Sequence, residues 1–375
     1  MNLIKLKPRE NNLFHIGEKD LQSTEIIIHS DTLFSAVCNN YRLIYGKKAL
    51  DIFLELKYKE LRLSSAFHYI DVYEEKDYKG TIFFLPKPFI KFEFDEDGNE
   101  LKEKEPKLFK NIEFISVNTL IRWNKSGIVN LKKKYILDKK YLIDEEDYAL
   151  LGLNSYNEEK ASKILKNIKI AKESEEQKVV VDRFNNRSDT FYQSNFGFSY
   201  NNYYVKNNNT KTDYAINAGF YFLANLDELS DKELFAAVKL IQDHGIGGER
   251  SSGKGLFEKI EVTDLPSVFK ELIQSKQNNF MSLSLIFPEE EEVSRLGYYS
   301  LIERRGFIYS DDGKSLRRKT VRMLEEGSIF NEEINGKIPD VTPDTFKEHE
   351  VYRYGLAFLV PIRNGVDQNV GLQKI

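Results

Sequence analysis

The sequence predicts an α+β protein built from antiparallel sheets with helices on one face. Each half of the chain has short segments in which apolar and polar residues alternate, interspersed with two helical patterns. This order is typical of the β-α-β-β-α-β arrangement of ferredoxin-like domains. We therefore expect two such domains in tandem, at residues 1–264 and 265–375.

Composition limits the class of protein. The chain has 375 residues, enough for two domains with a sizeable core. A single cysteine, Cys38, excludes an intrachain disulfide and a cysteine metal cluster, and it fits a reducing compartment. The sequence has no apolar run of membrane-spanning length and no signal-peptide pattern, so we expect a cytoplasmic protein. Because the net charge is −4, any RNA contact must be local.

The first 50 residues predict a strand followed by a helix. Ile4 and Leu6 alternate with lysines, and Pro8 ends the strand. The helix is expected to have Ser30 as its N-cap and to stop at Gly46. Its apolar stripe is formed by Leu33, Ala36, Val37, Tyr41 and Ile44.

The middle of the first domain predicts strands, an insertion and an aromatic hairpin. Residues 61–125 are apolar and β-rich around a charged spacer, which predicts a hairpin with an exposed turn. Residues 125–178 are polar, lysine-rich and partly helical, and we interpret them as an insertion. Within residues 179–212, Arg183 and Arg187 precede seven aromatic residues between Phe191 and Tyr204. Such a mixture can stack bases and grip phosphates, but the same aromatics could form a hairpin core.

A glycine-rich loop at residues 245–255 lies between a predicted helix and a predicted strand. The helix has a capping box, Ser230 with Glu233, and the strand follows in "LFEKIEVTDL". Glycines allow positive φ and close backbone approach, so several N–H groups can converge on an anion. We predict a phosphate-binding loop with the candidate residues Gly245, Gly247, Gly248, Arg250, Ser251, Ser252, Gly253, Lys254 and Gly255.

Two other interpretations of this loop use the same residues. Gly248 to Lys254 matches G-x-x-x-x-G-K, but a P-loop continues with Ser or Thr and runs from a strand into a helix. Here Gly255 follows and the order is reversed, so nucleotide hydrolysis is disfavoured. A plain turn with a solvated Arg250 and Lys254 is the second alternative.

The second domain predicts strands near its start and end. The segment "FMSLSLIFP" places Leu283, Leu285 and Phe287 on one face. A buried strand is predicted near the C-terminus from the alternating residues Tyr352, Tyr354, Leu356, Phe358 and Val360.

Four segments carry a resemblance to a known family. They are "IHSDTLFSAV", "DRFNNRSDTFYQS", the glycine loop and "VYRYGLAFLVPI". In this chain order they resemble the Cas-five-like RAMP subunit of the type III-A CRISPR Csm complex, its subunit four. The resemblance leaves only residues 125–178 unmatched.

This resemblance implies a non-catalytic subunit that holds the 5′ handle of CRISPR RNA. It would join the Cas-ten large subunit to the first Csm-three-type backbone subunit. The glycine loop would cradle handle phosphates, and Arg183 and Arg187 in the hairpin, or thumb, would contact the guide. His29 and Ser30 are further candidate contacts, although Ser30 is more simply explained as a helix cap.

His29 also allows an alternative function. It could be the general acid or base of a metal-independent endoribonuclease that processes guide precursors. A hydrogen-bonded histidine beside a helix cap explains the same residue. An RNA-binding module unrelated to CRISPR is a third interpretation. The sequence shows no carboxylate cluster or metal-ligand spacing, so we expect no metal, no cofactor and no enzymatic activity.

Overall fold

The computed structural model describes residues 1–17, 22–56, 60–182, 184–185, 187–207, 210–226, 231–308, 316–347 and 349–364. These residues form a mixed α+β fold with antiparallel sheets. The strands are β1 (Asn2–Pro8), β2 (Leu13–Phe14), β3 (Phe67–Glu74), β4 (Asp77–Pro86), β5 (Glu93–Phe94), β6 (Phe114–Ser116), β7 (Ile128–Val129), β8 (Ile136–Leu137), β9 (Tyr141–Leu142), β10 (Ala171–Asp182), β11 (Arg187–Phe198), β12 (Asn201–Asn207), β13 (Thr210–Ala224), β14 (Phe257–Asp264), β15 (Asn279–Ser282), β16 (Leu301–Arg304), β17 (Val321–Leu324), β18 (Ile329–Phe330) and β19 (Leu359–Ile362). The helices are α1 (Ser30–Tyr45), α2 (Lys47–Leu56), α3 (Glu96–Lys104), α4 (Pro106–Lys110), α5 (Val117–Ser126), α6 (Glu145–Leu150), α7 (Glu158–Asn167), α8 (Lys232–Lys239), α9 (Ile241–His244) and α10 (Ser267–Ile273).

A nine-stranded sheet organises the N-terminal part. Its order is β14-β1-β13-β3-β4-β6-β9-β8, and β12 pairs with β13 beside this path. The strands β14, β1, β13 and β3 are antiparallel neighbours. Helix α1 precedes β3, and α8 and α9 precede β14, so these elements follow the predicted β-α-β-β-α-β connection.

Helices α1, α8 and α9 cover one face of this sheet. Ile4 and Leu6 of β1 share a buried cluster with Phe220 of β13, Val37 of α1 and Val238 of α8. Burying an aliphatic or aromatic side chain of this size stabilises a fold by about 1.5–3 kcal/mol. The alternation in β1 and most of the stripe of α1 therefore mark the buried faces, as the sequence predicts, but Ile44 at the end of the stripe is 42% exposed.

The region interpreted as an insertion is integrated into the sheet. Strands β8 and β9 lie at its edge, where β9 pairs in parallel with β6. Leu137, Tyr141 and Leu142 are buried in the larger core cluster. The same cluster contains Phe269 and Val360 from the C-terminal part, so both parts of the chain contribute to one core.

The C-terminal part is built from small sheets. Strands β18, β15 and β19 form one sheet, and β16 and β17 form a ribbon. Within residues 265–308, 316–347 and 349–364, α10 is the one α-helix, whereas the predicted second ferredoxin-like unit requires two. The division at residue 264 into tandem ferredoxin-like domains stays a prediction.

The prediction of a long C-terminal strand is wrong in its extent. The structure has only β19, and the residues before it make single bridges such as Tyr352 with Asp340 and Leu356 with Gly336. Arg353 and Ala357 are buried like Tyr354, because this segment has protein on both sides. Alternation of side-chain burial therefore does not describe it.

The predicted hairpin is also shifted. Strands β10 and β11 pair from Ala171 with Phe198 to Asp182 with Arg187, whereas residues 201–207 and 210–212 belong to the β12–β13 pair. The charged start of β10 resembles a solvated insertion in sequence, although its backbone is paired throughout. Among the described residues, no helix is both long and apolar enough to cross a membrane.

Candidate nucleic-acid interface

The glycine loop follows α9 and leads into β14, so the predicted helix-loop-strand order is confirmed. Gly245, Gly247, Gly253 and Gly255 have φ angles between 71° and 97°. A Cβ atom on Gly255 would lie 2.0 Å from the Ile246 carbonyl oxygen. Glycine is therefore required here both by the backbone conformation and by close packing.

The loop wraps around β2. The N–H groups of Gly248 and Gly255 donate to the carbonyls of His15 and Leu13 at 2.8 and 2.9 Å. The Asn12 side chain donates to the Gly253 carbonyl and accepts from the Leu256 N–H. These N–H groups bond protein oxygens, so they are not available to an anion.

Lys254 joins the loop to the β10–β11 hairpin. Its Nζ lies 2.5 Å from Glu176 and 3.0 Å from the Asn195 side-chain oxygen, and the residue is 9% exposed. Lys178 of β10 makes a second ion pair, at 2.5 Å, with Glu249 of the loop. Hydrogen bonds from these lysines lower the pKa of both glutamates. Lys254 thus fastens the hairpin to the loop in this structure.

The other side chains of the loop tip point to solvent. Arg250, Ser251 and Ser252 form a short 3-10 turn and are exposed, as is Gly253. Of the two basic residues predicted to contact phosphate in this loop, Arg250 therefore lies at the surface, whereas Lys254 is buried.

The hairpin has a core base and an exposed tip. Phe196 is buried and stacks on Phe14 at 5.4 Å between ring centroids, which supports the core interpretation for that aromatic. Arg187, at the start of β11, is exposed, and Tyr192 is 50% exposed. Arg183 lies outside the described residues, as does Ser230 of the predicted capping box.

His29 lies inside the protein, between two carboxylates. Its Nδ1 is 2.8 Å from Glu326, its Nε2 is 3.4 Å from Glu25, and it is 3% exposed. Burial by itself lowers the pKa of His29, but the charge of Glu326 and bonds to both carboxylates outweigh it and raise the pKa to about 10. A proton-transfer catalyst needs access to substrate and a pKa near neutrality, and His29 has neither.

Ser30 is the first residue of α1, and the N-cap position belongs to His29. The Ser30 hydroxyl accepts the N–H of Leu285 at 3.1 Å, and its N–H donates to the Ser65 hydroxyl. The capping prediction for Ser30 is therefore wrong, because its hydroxyl bonds the C-terminal part of the chain instead of its own helix.

Asp31 completes this buried cluster. Its carboxylate accepts two hydrogen bonds from Arg304, at 3.0 and 3.1 Å, and one from Arg353. Burial raises the pKa of Asp31, but both guanidinium charges outweigh this and hold it well below its usual range. The segment His29 to Asp31 thus connects the N-terminal part to four separate segments of the C-terminal part, at Leu285, Arg304, Glu326 and Arg353.

A groove runs along the exposed face of α1 to the glycine loop. A cavity of about 300 Å³ is lined by Asn39, Arg42, Lys47 and Arg250. A neighbouring cavity of about 520 Å³ shares the first three of these residues and continues to Arg318. The two cavities form one groove from the loop to the C-terminal part, hereafter the α1 groove. Its end at the loop is basic, whereas Asp51, Glu55 and Glu350 line the part that continues to Arg318.

Two family models together match most of this chain. The RAMP superfamily model matches residues 12–258, and the model of the CRISPR Csm4 C-terminal domain matches residues 275–362. A Methanocaldococcus jannaschii protein named CRISPR system Cms protein Csm4 is 33% identical, with 96% of this chain and 97% of the relative covered. The chain belongs to the CRISPR Csm4 family of the RAMP superfamily.

Other Csm4 proteins and solved structures agree with this assignment. The Streptococcus thermophilus Csm4 is 25% identical, with 91% of this chain and 92% of the relative covered. A crystal structure of a Csm3-Csm4 subcomplex superposes with a TM-score of 0.64 at 27% identity, covering 97% of this chain and all of that one. A Csm1-Csm4 cassette with pppApA shows the same fold, with a TM-score of 0.52 at 16% identity over 98% of this chain and 99% of that one.

In this Csm4-family chain, the α1 groove adds residues that sequence reasoning missed. Ser35, Asn39 and Arg42 are spaced by four and three residues, so they form a polar stripe on the face of α1 opposite its apolar stripe. In a sequence such a stripe usually indicates only a solvated face. The sequence around it gives no sign that Arg250, which comes much later in the chain, lines the same cavity. Among the described residues, no group of three histidine, cysteine or carboxylate side chains could hold a metal ion.

Proposed function

We propose that this protein is a non-catalytic subunit of a type III-A CRISPR effector complex and binds the 5′ handle of the guide RNA in the α1 groove. The observation that carries this proposal is that Arg42 and Lys47 line the same cavity as Arg250 of the glycine loop. Three cations around one groove suit successive phosphates of a single strand. Local positive charge of this kind also reconciles RNA binding with an overall charge of −4.

The proposed partners follow from the family. One similar structure is titled a subcomplex of Csm4 with Csm3, and another a cassette of Csm4 with Csm1. We assign the backbone role to a Csm3-type partner and the Cas-ten role to a Csm1-type partner, and we place the complex in the cytoplasm. Size-exclusion chromatography of this chain with each partner tests this, and absence of either complex at low salt contradicts the corresponding link.

The RNA-binding experiment removes charge from the groove. In the reconstituted complex, the triple variant Arg42→Gln, Lys47→Gln and Arg250→Gln should bind handle RNA more weakly. The slope of log K against log salt should become shallower by about 2, because each lost phosphate contact on a single strand contributes about 0.7.

A matched control removes three lysines outside the groove, Lys104, Lys125 and Lys259, whose side chains are 63–69% exposed. Its affinity and salt slope should stay at the wild-type values. If the groove variant also keeps the wild-type slope, handle binding in this groove is refuted.

The endoribonuclease alternative receives a direct test. Incubation of the purified chain with repeat RNA, with and without metal ions, should give no cleavage. Cleavage that disappears in His29→Ala, while that variant keeps its circular dichroism spectrum, would establish the alternative instead.

A further inference from the structure

A second basic groove lies between helix α7 and strand β12, away from the glycine loop. It encloses about 550 Å³, a volume within the range of small-ligand sites. Lys160 and Lys163 line one wall, and Tyr204 and Lys206 line the other. None of the described residues that line it is acidic. We call it the α7 groove.

The positive charge of the α7 groove is available to a ligand. Lys163 pairs with Glu159 at 2.7 Å, but both side chains are more than 70% exposed, so water screens this pair strongly. Lys160 lies 3.7 Å from the centre of the Tyr156 ring. Cation–π contacts of this kind hold the ammonium in place without neutralising its charge.

Tyrosines give the groove flat, fixed surfaces. The Tyr156 hydroxyl accepts the Lys206 N–H at 2.6 Å, which ties helix and strand together. Tyr203 stacks on Tyr214 at 5.4 Å, and its hydroxyl donates to the Leu151 carbonyl. Tyr204 beside them is 49% exposed, so part of its ring can contact a ligand.

These features together suit one ligand class. Lysines can pair with phosphates, an exposed tyrosine ring can stack on a base, and the amides of Asn167 and Asn202 can bond base edges. An acidic peptide would use the lysines but not the exposed ring and the amides. We propose that the α7 groove is a second binding site for single-stranded RNA, separate from the site proposed for the handle.

The α7 groove lies largely in a segment that carries no recognisable sequence motif. Residues Tyr156 to Lys163 belong to the stretch 125–178, which the motifs leave unmatched, and Tyr204 belongs to the aromatic run. The groove shares no lining residue with the α1 groove. Its failure as an RNA site would therefore leave the proposed handle site untouched.

The experiment tests the α7 groove in a variant whose α1 groove has lost its three basic side chains. The full chain carrying Arg42→Gln, Lys47→Gln and Arg250→Gln is titrated with a fluorescein-labelled single-stranded oligouridylate. Adding Lys160→Gln and Lys206→Gln should reduce the salt slope by a further ~1.4, because two phosphate contacts are lost. Adding Tyr204→Leu instead should weaken binding by about tenfold, because one stacking partner is lost.

The control adds Lys104→Gln and Lys125→Gln, which remove the same charge from exposed positions outside either groove. Circular dichroism melting must show that each variant is folded. Unchanged binding by both groove variants, or an equal loss in the control, overturns the proposal. It is also overturned if an oligoglutamate peptide binds as tightly and is insensitive to Tyr204→Leu, since the groove would then be a general acidic-ligand site.

Discussion

Replacing His29 by glutamine should destabilise the fold at neutral pH and remove part of the pH dependence of the free energy of unfolding. The imidazolium contacts Glu326, which is buried, and Glu25, which is partly exposed. Glutamine can hydrogen-bond these carboxylates but cannot neutralise them. Removing one partner of a buried charge pair typically costs about 3–5 kcal/mol, because the remaining charge is uncompensated.

The pKa of His29 sets the size and the direction of the effect of pH on the free energy of unfolding. The pKa of His29 rises from 6.5 to about 10 on folding, and each unit corresponds to about 1.4 kcal/mol. The upper limit of the linked stabilisation is therefore about 5 kcal/mol. Because the folded pKa is raised, this contribution is fully present below pH 6.5 and is lost as the pH rises from 6.5 to about 10.

Urea unfolding followed by circular dichroism between pH 6 and pH 9.5 measures this effect. The free energy of unfolding of His29→Gln should be about 3–5 kcal/mol below wild type at pH 6, and the gap should narrow towards pH 9.5. His349→Gln, at an exposed histidine, is the control and should follow wild type. A gap that does not change with pH, or no gap at all, refutes the assignment of His29 as a buried cation.

Three further predictions concern buried charge and backbone conformation. Asp31→Asn should lower the free energy of unfolding by about 3–5 kcal/mol, because it leaves Arg304 buried beside a neutral amide; a loss below about 1 kcal/mol would contradict this. In thermal melts, Gly255→Ala should destabilise the protein far more than Gly253→Ala, since both have positive φ but only Gly253 has open space for a Cβ; equal losses would argue against the packing of the loop. Burial raises the pKa of Asp147 to about 6, so its ionisation opposes folding as the pH rises from 4 to 7. The free energy of unfolding of Asp147→Asn should therefore rise by about 2–3 kcal/mol relative to wild type over that interval. If the two proteins show parallel pH profiles in urea unfolding, the raised pKa of Asp147 is refuted.

The sequence predicts those parts of the fold that local patterns determine. The alternation in β1 and the stripe of α1 identify faces that bury apolar area, and the glycines of the loop match positive φ angles. The start of β10 could not be predicted in this way. Its residues are charged and exposed on both faces, and its pairing with β11 comes from backbone hydrogen bonds that leave no periodic apolar signal.

The motifs that carried the family resemblance have a structural role in this chain. Asp31 of "HSDTLFSAV" bonds Arg353 of "VYRYGLAFLVPI", and the Tyr354 hydroxyl accepts the Leu63 N–H and donates to the Leu61 carbonyl. Glu326, which follows β17, bonds His29 of the first motif and also Ser65. Sequence alone showed that these residues occur together in one family, but only their contacts show that they join the two ends of the chain.

The basic side chains at the glycine loop have two different environments: two lysines pair with glutamates, and Arg250 lies at the surface. Lys254 and Lys178 are each neutralised by a glutamate in pairs that hold the hairpin against the loop. Arg250 faces the α1 groove instead, where Arg42 and Lys47 add to its charge. A phosphate bound at the proposed site would contact the helix and the loop tip together, and the paired lysines would keep the hairpin beside it. If RNA binds there as proposed, loss of Lys254 should act on binding through the position of the hairpin, whereas loss of Arg250 should remove a direct contact and reduce the salt slope.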